Sequence, residues 1–473
     1  MRPGFCSPRM PAPPSPTPTP RRLMPALFIG VFMAALDTAV IAPAIPALRE
    51  AFAIDHREAG LLMVVFVLCS LSSTALLANL GDRHGRRPVY LGAVTCFALG
   101  SLIIALSPSF GIVLLGRAVQ GFGAGGIIPT ASAVIGDAVP ARERGRALGL
   151  IGAIYGMAFV LGPPLAALLM LAASWHWIFL INLPIAALVL WLASRALPRA
   201  KQMAQHAPLD TRGLLLVVLG LCALVLGITR IADGLFERLL WPGFLVAAAL
   251  LGAWLVRVER NAAAPMIPMN LFAQRQLATT YTLTVGAGFG MGSVIFLSSI
   301  AQLAHGVEPR HAGFVLLPLV LSSMAGSMGA GRLLNRLGPR TLILLGFGHL
   351  ALGYALCALV GFGLWFFLVA TVPVGLGVGI VVGGALRSIA IDEAPPAQRG
   401  AAQGLINICT SIGTLLSAAV VSAVADFGGG GAHGFAIAYL GVAASMLLMG
   451  LATLRLRRPP AAPHDAAQES ARA

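Results

Sequence analysis

The sequence predicts an all-α integral membrane protein: fourteen membrane helices, arranged as two six-helix bundles with a central two-helix insert. Three observations predict it. The chain is too apolar for water, it divides into stretches of spanning length, and its first and last parts repeat one another.

Of 473 residues, 58% are hydrophobic and only 10% are Asp, Glu, Lys or Arg, against roughly 25% charged in a soluble domain. Mean hydropathy is +0.87. So few charges cannot cover a folded chain of this length in water. That excludes a soluble enzyme, a nucleic-acid-binding domain and a disordered chain, and makes lipid the expected solvent. Six cysteines form no CxxC and no Cys/His spacing, so neither a disulfide framework nor a zinc site is expected.

Residues 1–23 are Pro-rich and read as a disordered cytoplasmic tail. Apolar stretches follow at about 24–45, 59–80, 89–106, 110–135, 147–172 and 176–195, then 213–231 and 239–256, then 277–304, 311–331, 341–361, 363–391, 402–427 and 434–455. Each is close to the ~20 residues that a spanning helix needs. Helices are required, because hydrocarbon leaves no partner for free backbone groups. The expected division is a bundle over 24–195, a linker with two extra helices over 196–275, a second bundle over 276–455 and a cytoplasmic tail over 456–473.

The net charge of +15 is ambiguous until it is placed on this frame. Of 32 Lys and Arg, 26 fall in the tails and in the loops on one side, and five on the other. Positive residues mark cytoplasmic loops, so both termini are expected inside, in a multi-pass protein of the cytoplasmic membrane. Charge scattered over many short loops offers no basic face to a nucleic acid.

The repeat is the third observation. PARERGRALGLI from Pro140 recurs as PPAQRGAAQGLI from Pro395, 255 residues on. Asp137 aligns with Asp392, and Arg144 with Arg399. LGDRHGRR from Leu80 matches LLNRLGPR from Leu333, and GFGAG from Gly121 matches GLGVG from Gly375. Three matches at nearly one offset make two related halves in parallel order, with helices seven and eight outside both. Duplicated six-helix halves are a transporter architecture, with the substrate path between them.

The motifs resemble a known family. LGDRHGRRP around Asp82 is similar to the loop between helices two and three of the major facilitator superfamily, and LGRAVQGFGAGG around Arg117 to its helix-four motif. Gly152, Gly156, Gly162 and Pro163 resemble the antiporter motif of its exporters. LDTAVIAPAIP from Leu36 and WHWIFLINLPI from Trp175 resemble signatures of its fourteen-spanner drug:proton antiporters. The resemblance covers roughly residues 24–455, with Ala39 and Ala42 replacing the usual Thr and Asn beside Asp37, and Ala166 and Ala167 replacing two glycines. It implies a major-facilitator-type fold, and a proton-coupled antiporter that exports small amphipathic or cationic drug-like compounds by alternating access. An importer or metabolite carrier of the same superfamily is the alternative, with a membrane sensor behind it.

Two charges stand out within the spans. A carboxylate such as Asp37 costs about 2.5–3.5 kcal/mol at the helix centre, so it marks a functional site by default, here proton coupling. Arg117 either tunes that carboxylate or satisfies backbone carbonyls. Asp82, Arg83, Gly85, Arg86 and Arg87 form the short loop that the family resemblance makes an inner gate, with Asp137 expected to accept from one of its arginines. Plain positive-inside topology is the other explanation. His349 reads as a packed polar residue rather than a proton relay. Phe32, Tyr155, Phe159, Phe289, Met291, Asn407, Ser411 and Asp426 are candidate cavity residues. There is no GxxxxGK[ST], so ATP drive is not supported, and no HExxH, nucleophile elbow or metal cluster, so no enzyme and no cofactor are expected. The expected partners are a small-molecule substrate, protons and the bilayer, with a periplasmic adaptor left open.

Overall fold

A computed structural model describes residues 20–54, 56–172, 174–198, 211–229, 241–262, 268–307 and 314–457. The described residues of the first part form α1 (Pro20–Phe52), α2 (His56–His84), α3 (Arg86–Ala105), α4 (Phe110–Ala138), α5 (Ala141–Ala172), and a pair, α6 (His176–Leu180) and α7 (Asn182–Ala196). Two more follow, α8 (Thr211–Thr229) and α9 (Trp241–Asn261). The last part holds α10 (Asn270–Ala273), α11 (Arg275–Ser293), α12 (Leu297–His305), α13 (Leu317–Cys357), α14 (Leu364–Ile380), α15 (Leu386–Glu393), α16 (Arg399–Phe427) and α17 (Gly431–Thr453).

The architecture is all-helical, but the expected count of fourteen is not reproduced. Among the described residues, eleven helices are long and apolar enough to cross a membrane. The reasons are local. The stretches expected at 311–331 and 341–361 are two helical segments that meet directly at Gly338, whose φ 74° and ψ 159° are not helical, so α13 holds both and counts as one. The stretch expected at 213–231 is α8, whose apolar run, Leu215–Leu224, is short. That at 147–172 is α5, whose side chains are described only in part.

α1 packs on α5 and α7, α3 on α4, and α2 on α4; in the last part α13 packs on α14 and α17, and α11 on α16. Glycines set the distances. The carbonyl of Phe66 lies where a Cβ on Gly121 would go, and that of Leu319 does the same for Gly375. Gly123 and Gly377 meet the carbonyls of Ala93 and Gly346, and Gly125 and Gly379 those of Ser70 and Ser323. The repeated GxGxG thus makes the same backbone approach in both copies, since small residues let helix backbones touch where lipid offers no hydrophobic driving force. Buried tyrosines find carbonyls: Tyr90 donates to Ala26 at 3.0 Å and Tyr439 to Ser293 at 3.0 Å.

The two parts meet through α5 against α13, and through α2 and α4 against α16. α8 pairs with α9 and also touches both α2 and α16. Val217 and Leu221 of α8 are buried there with Leu71, Ala75 and Ile408. The extra pair therefore lies along one seam between the halves.

Candidate functional site

Two polar assemblies are built along α4, one near each end. Arg117 and Asp137 are 20 residues apart, or about 30 Å of helix.

The first assembly is enclosed within the first half. Asp37 of α1, Ser101 of α3, Arg117 and Gln120 of α4, and Asn182 of α7 are all buried, with Asp37 and Arg117 fully so. Arg117 Nη1 donates to Asp37 Oδ2 at 2.8 Å and to Gln120 Oε1 at 2.7 Å. Its Nε donates to the Leu62 carbonyl at 3.2 Å, and its guanidinium lies 4.2 Å from the centre of the Phe66 ring. The other carboxylate oxygen of Asp37 accepts from Gln120 Nε2 at 2.7 Å and from Asn182 Nδ2 at 3.2 Å. Both amides also reach the Ser101 hydroxyl. Ion pairing and hydrogen bonding make a dry charge tolerable. The two readings of Arg117 are both realised: it pairs with the carboxylate and it satisfies a carbonyl. Ala39 and Ala42 remove the neighbours in sequence, and Gln120, Ser101 and Asn182 supply polar contacts from three other helices.

The second assembly joins the halves at the other, arginine-rich end. Arg144 Nη1 bridges to Asp392 at 3.1 Å, and its repeat equivalent Arg399 bridges to Asp137 at 3.0 Å. The pairs are reciprocal: each half's arginine takes the other half's aspartate. Arg86 pairs with Asp82 and donates to Asp137 through Nε at 3.4 Å. Both carboxylate oxygens of Asp82 accept backbone N–H groups at the start of α16, from Gly400 and Ala401, at 3.0 Å each. A carboxylate on unpaired helix N-terminal donors is favoured by hydrogen bonding and by the helix dipole. Gly85 takes φ 95°, which permits the turn from α2 into α3. Arg87 points elsewhere, to the Ser194 carbonyl at the end of α7.

Beyond these ion pairs along α5 lies a tight crossing with α13. The Ser327 hydroxyl of α13 donates to the Gly149 carbonyl of α5 at 2.6 Å. A Cβ on Gly152 would come under 3.0 Å from the Ser327 hydroxyl and the Gly383 Cα. Gly383 belongs to a π-helical stretch, Val381–Ala385, which lies against α5. The antiporter-like glycines therefore divide their work. Gly152 faces the other half, whereas Gly162 admits Ala39 and brings α5 onto α1.

Other candidates scatter. Phe32 and Phe289 pack against the cores of their own halves. Met291 and Ser411 are half-buried. Asn407 accepts from Arg387 Nη2 at 2.8 Å. Gly156 and the side chains of Tyr155, Phe159, Pro163 and Asp426 lie outside the described residues. His349 bonds the Leu345 carbonyl of its own helix. Arg387, counted in the sequence among loop charges, is instead buried in α15. Among the described residues no cluster of metal-ligating side chains occurs.

Sequence reading missed Ser101, Gln120, Asn182, Ser132, Arg387 and Gln403 as site residues. Asn182 was signalled by its place in WHWIFLINLPI and Gln120 by LGRAVQG, but nothing in the sequence marked Ser101 or Ser132. The pairing of Arg144 and Arg399 was available from the repeat, where each arginine follows its aspartate by seven positions.

Comparison with known proteins agrees with this construction. The family model described as Major Facilitator Superfamily matches residues 27–418 and again 280–473. The uncharacterized MFS-type transporter YfiU of Bacillus subtilis is 34% identical over 406 residues, covering 82% of this chain and 76% of that protein. The tetracenomycin C resistance and export protein of Streptomyces glaucescens is 29% identical over 413 residues, covering 84% and 74%. Among solved structures, the human organic anion transporter MFSD10 superposes with a TM-score of 0.69 at 17% identity, over 92% of this chain and 100% of that one, which is a likeness of fold. With two halves packed through a shared helical seam and a family match across nearly the whole chain, the protein belongs to the major facilitator superfamily and is a multi-pass membrane transporter.

Proposed function

We propose that the protein is a proton-coupled exporter of small amphipathic compounds, of the fourteen-spanner drug:proton antiporter type, working by alternating access in the cytoplasmic membrane. The arginine-rich end is the cytoplasmic one, by the bias of positive residues to that side. The observation that carries the reading is the enclosed Asp37–Arg117 pair in one half, with a separate ion-pair clamp between the halves.

The conformation described has its cytoplasmic end clamped. Substrate leaves from the opposite side, and a proton from that side adds to Asp37. Protonation removes one charge of the pair, so Arg117 keeps Gln120 and the Leu62 carbonyl but loses its counter-ion. The strain so created falls on α4, whose far end carries Asp137. Loss of the Arg399–Asp137 and Arg144–Asp392 bridges lets the halves rock, the proton leaves to the cytoplasm, and substrate binds there. One proton moving down ~100 mV and about one pH unit supplies about 2.3 and 1.4 kcal/mol, enough for a gradient of a few hundredfold. Because Asp37 is sealed by Arg117, the substrate acts on it through the helices and not by contact.

The test is transport in everted membrane vesicles energised by a proton gradient. Uptake of a lipophilic fluorescent dye should follow the gradient, collapse with an uncoupler and be absent with Asp37→Asn. Uptake insensitive to the uncoupler, or unaffected by Asp37→Asn, refutes proton coupling through this site.

A further inference from the structure

The buried charges of the two halves have different surroundings. Arg387 of α15 reaches Gln403 and Asn407 of its own half and, across the seam, its repeat equivalent Ser132, 255 residues earlier. These polar groups face a charge that never changes. Asp37 is different, because a proton can cancel its charge. Every described contact to its carboxylate comes from a hydrogen-bond donor: Arg117 Nη1 to Oδ2 at 2.8 Å, and Gln120 Nε2 and Asn182 Nδ2 to Oδ1 at 2.7 and 3.2 Å. That arrangement suits the ionised form. A carboxylic acid has one O–H to donate, and among these partners it meets no acceptor.

Either amide can supply an acceptor by turning over, but the two are not equivalent. Gln120 is pinned. Its Oε1 accepts from Arg117 Nη1 at 2.7 Å, so a turn would set its Nε2 against the guanidinium. Asn182 is free to turn. Its Nδ2 donates to Asp37 and to the Ser101 hydroxyl, at 3.2 Å each, while its Oδ1 is buried with no hydrogen-bond partner. The ionised carboxylate fixes that orientation, because the reverse one would set oxygen against oxygen. A buried acceptor left unpaired is costly and uncommon, and this one adjoins the group that is to be protonated.

Resting on the export reading, we propose that Asn182 is the positioning residue for the transported proton: its amide turns when Asp37 is protonated and accepts the new O–H. The proton adds to Asp37 Oδ1, the oxygen that faces both amides. Half a rotation about the last side-chain bond of Asn182 brings its own Oδ1 to the place of Nδ2, within reach of that O–H. The Ser101 hydroxyl, which accepts from Asn182 before the turn, donates to it afterwards. No bond is given up on the far side, since nothing pairs with the Asn182 oxygen there. That oxygen is thereby satisfied only in the protonated state, which favours proton uptake in a fully buried site. The exchange also divides the ion pair. Neutral Asp37 is held by α7, while Arg117 stays with Gln120 of its own helix and with the Leu62 carbonyl of α2. Of the elements packed on α1, α4 supplies Arg117, the one charged group in contact with Asp37 among the described residues. α6 carries His176, whose ring bonds Ser174 and stacks on Trp175, and the charges of α2, α5 and α7 lie at their ends.

The experiment records infrared difference spectra, acid minus alkaline, of the purified full chain carrying a heavy carbon isotope in its asparagine side-chain amides. The Asn182 carbonyl band should fall in frequency as the carboxylic band of Asp37 appears, because that carbonyl passes from no hydrogen bond to two. Asn182→Leu should lack the moving band, which assigns it. In Asp37→Asn an N–H stands where the acid carries its O–H, so Asn182 is turned at every pH and no amide band should move. In vesicles, Asn182→Leu should slow proton-driven dye uptake at least ~10-fold, whereas Asn182→Ser, whose hydroxyl either donates or accepts, should keep most of it. A merely structural Asn182 predicts no band movement. An amide band that stays fixed while the carboxylic band appears, or uptake by Asn182→Leu at the wild-type rate, overturns the proposal. The spectra need no gradient, so a moving band without proton-driven uptake sinks the export reading and leaves the amide switch standing.

Discussion

Asp37→Asn is the sharpest perturbation available, because it changes charge at nearly constant volume. Arg117 would keep its bonds to Gln120 at 2.7 Å and to the Leu62 carbonyl at 3.2 Å, but would lose its ion-pair partner in a site with no solvent exposure. Removing one member of a buried pair costs about 3–5 kcal/mol, because it leaves an uncompensated charge. Arg117→Met should cost a similar amount by stranding the carboxylate. The double variant removes both charges at once, and replacing a whole buried pair by uncharged groups is often close to neutral. Equilibrium unfolding of the three variants in detergent, followed by tryptophan fluorescence, should therefore show strong non-additivity, with the double variant more stable than either single one. Proton-driven dye uptake in vesicles should be lost in all three. The two readouts separate roles: stability reports the pair, and uptake reports the carboxylate. A double variant whose loss equals the sum of the singles would refute the pair as the organising interaction.

The remaining expectations concern the clamp. Gly152→Val places side-chain carbons where the Ser327 hydroxyl and Gly383 Cα now lie, so it should hold the halves apart; cysteine labelling at the arginine-rich end should become faster. Asp82→Asn keeps one acceptor of two for Gly400 and Ala401 and loses the charge facing Arg86; losing an N-terminal cap costs about 0.5–2 kcal/mol, and the same labelling should rise by several-fold. Exchanging charges with Arg144→Asp and Asp392→Arg should impair export singly and restore it together, since they meet at 3.1 Å. His349→Ala should leave proton-driven uptake unchanged, because its ring serves only the Leu345 carbonyl among the described contacts.

Much of the fold was readable because lipid imposes a simple rule. Every backbone group must be bonded within its own helix, so spanning length and apolar composition alone mark the elements. The same rule does not fix where one helix ends and another begins. Gly338 breaks α13 into two segments with no loop between them, and Ile181 separates α6 from α7 by a turn. Hydropathy places neither break: the polar run 332–340 around Gly338 reads as a loop of several residues, and Ile181 is as apolar as its surroundings. Arg387 failed for a related reason. Close to a polar segment, an arginine reads as a loop charge, and only the packing of α15 and α16 buries it.

The sequence by itself determined the membrane class, the two related halves, the side on which positive charge gathers, and the exceptional status of Asp37, Arg117 and Asp82. These follow from composition, periodicity and repetition, which are properties of the chain in one dimension. The tertiary structure alone decided which groups answer them. Ser101 and Asn182 reach Asp37 from α3 and α7, Arg399 reaches Asp137 from the other half, and Ser132 meets its own repeat equivalent, Arg387. Those partners lie up to 262 positions apart. A polar side chain in a helix is marked by its cost, but the helix that relieves that cost is chosen by glycine-governed packing in three dimensions, which no local pattern encodes.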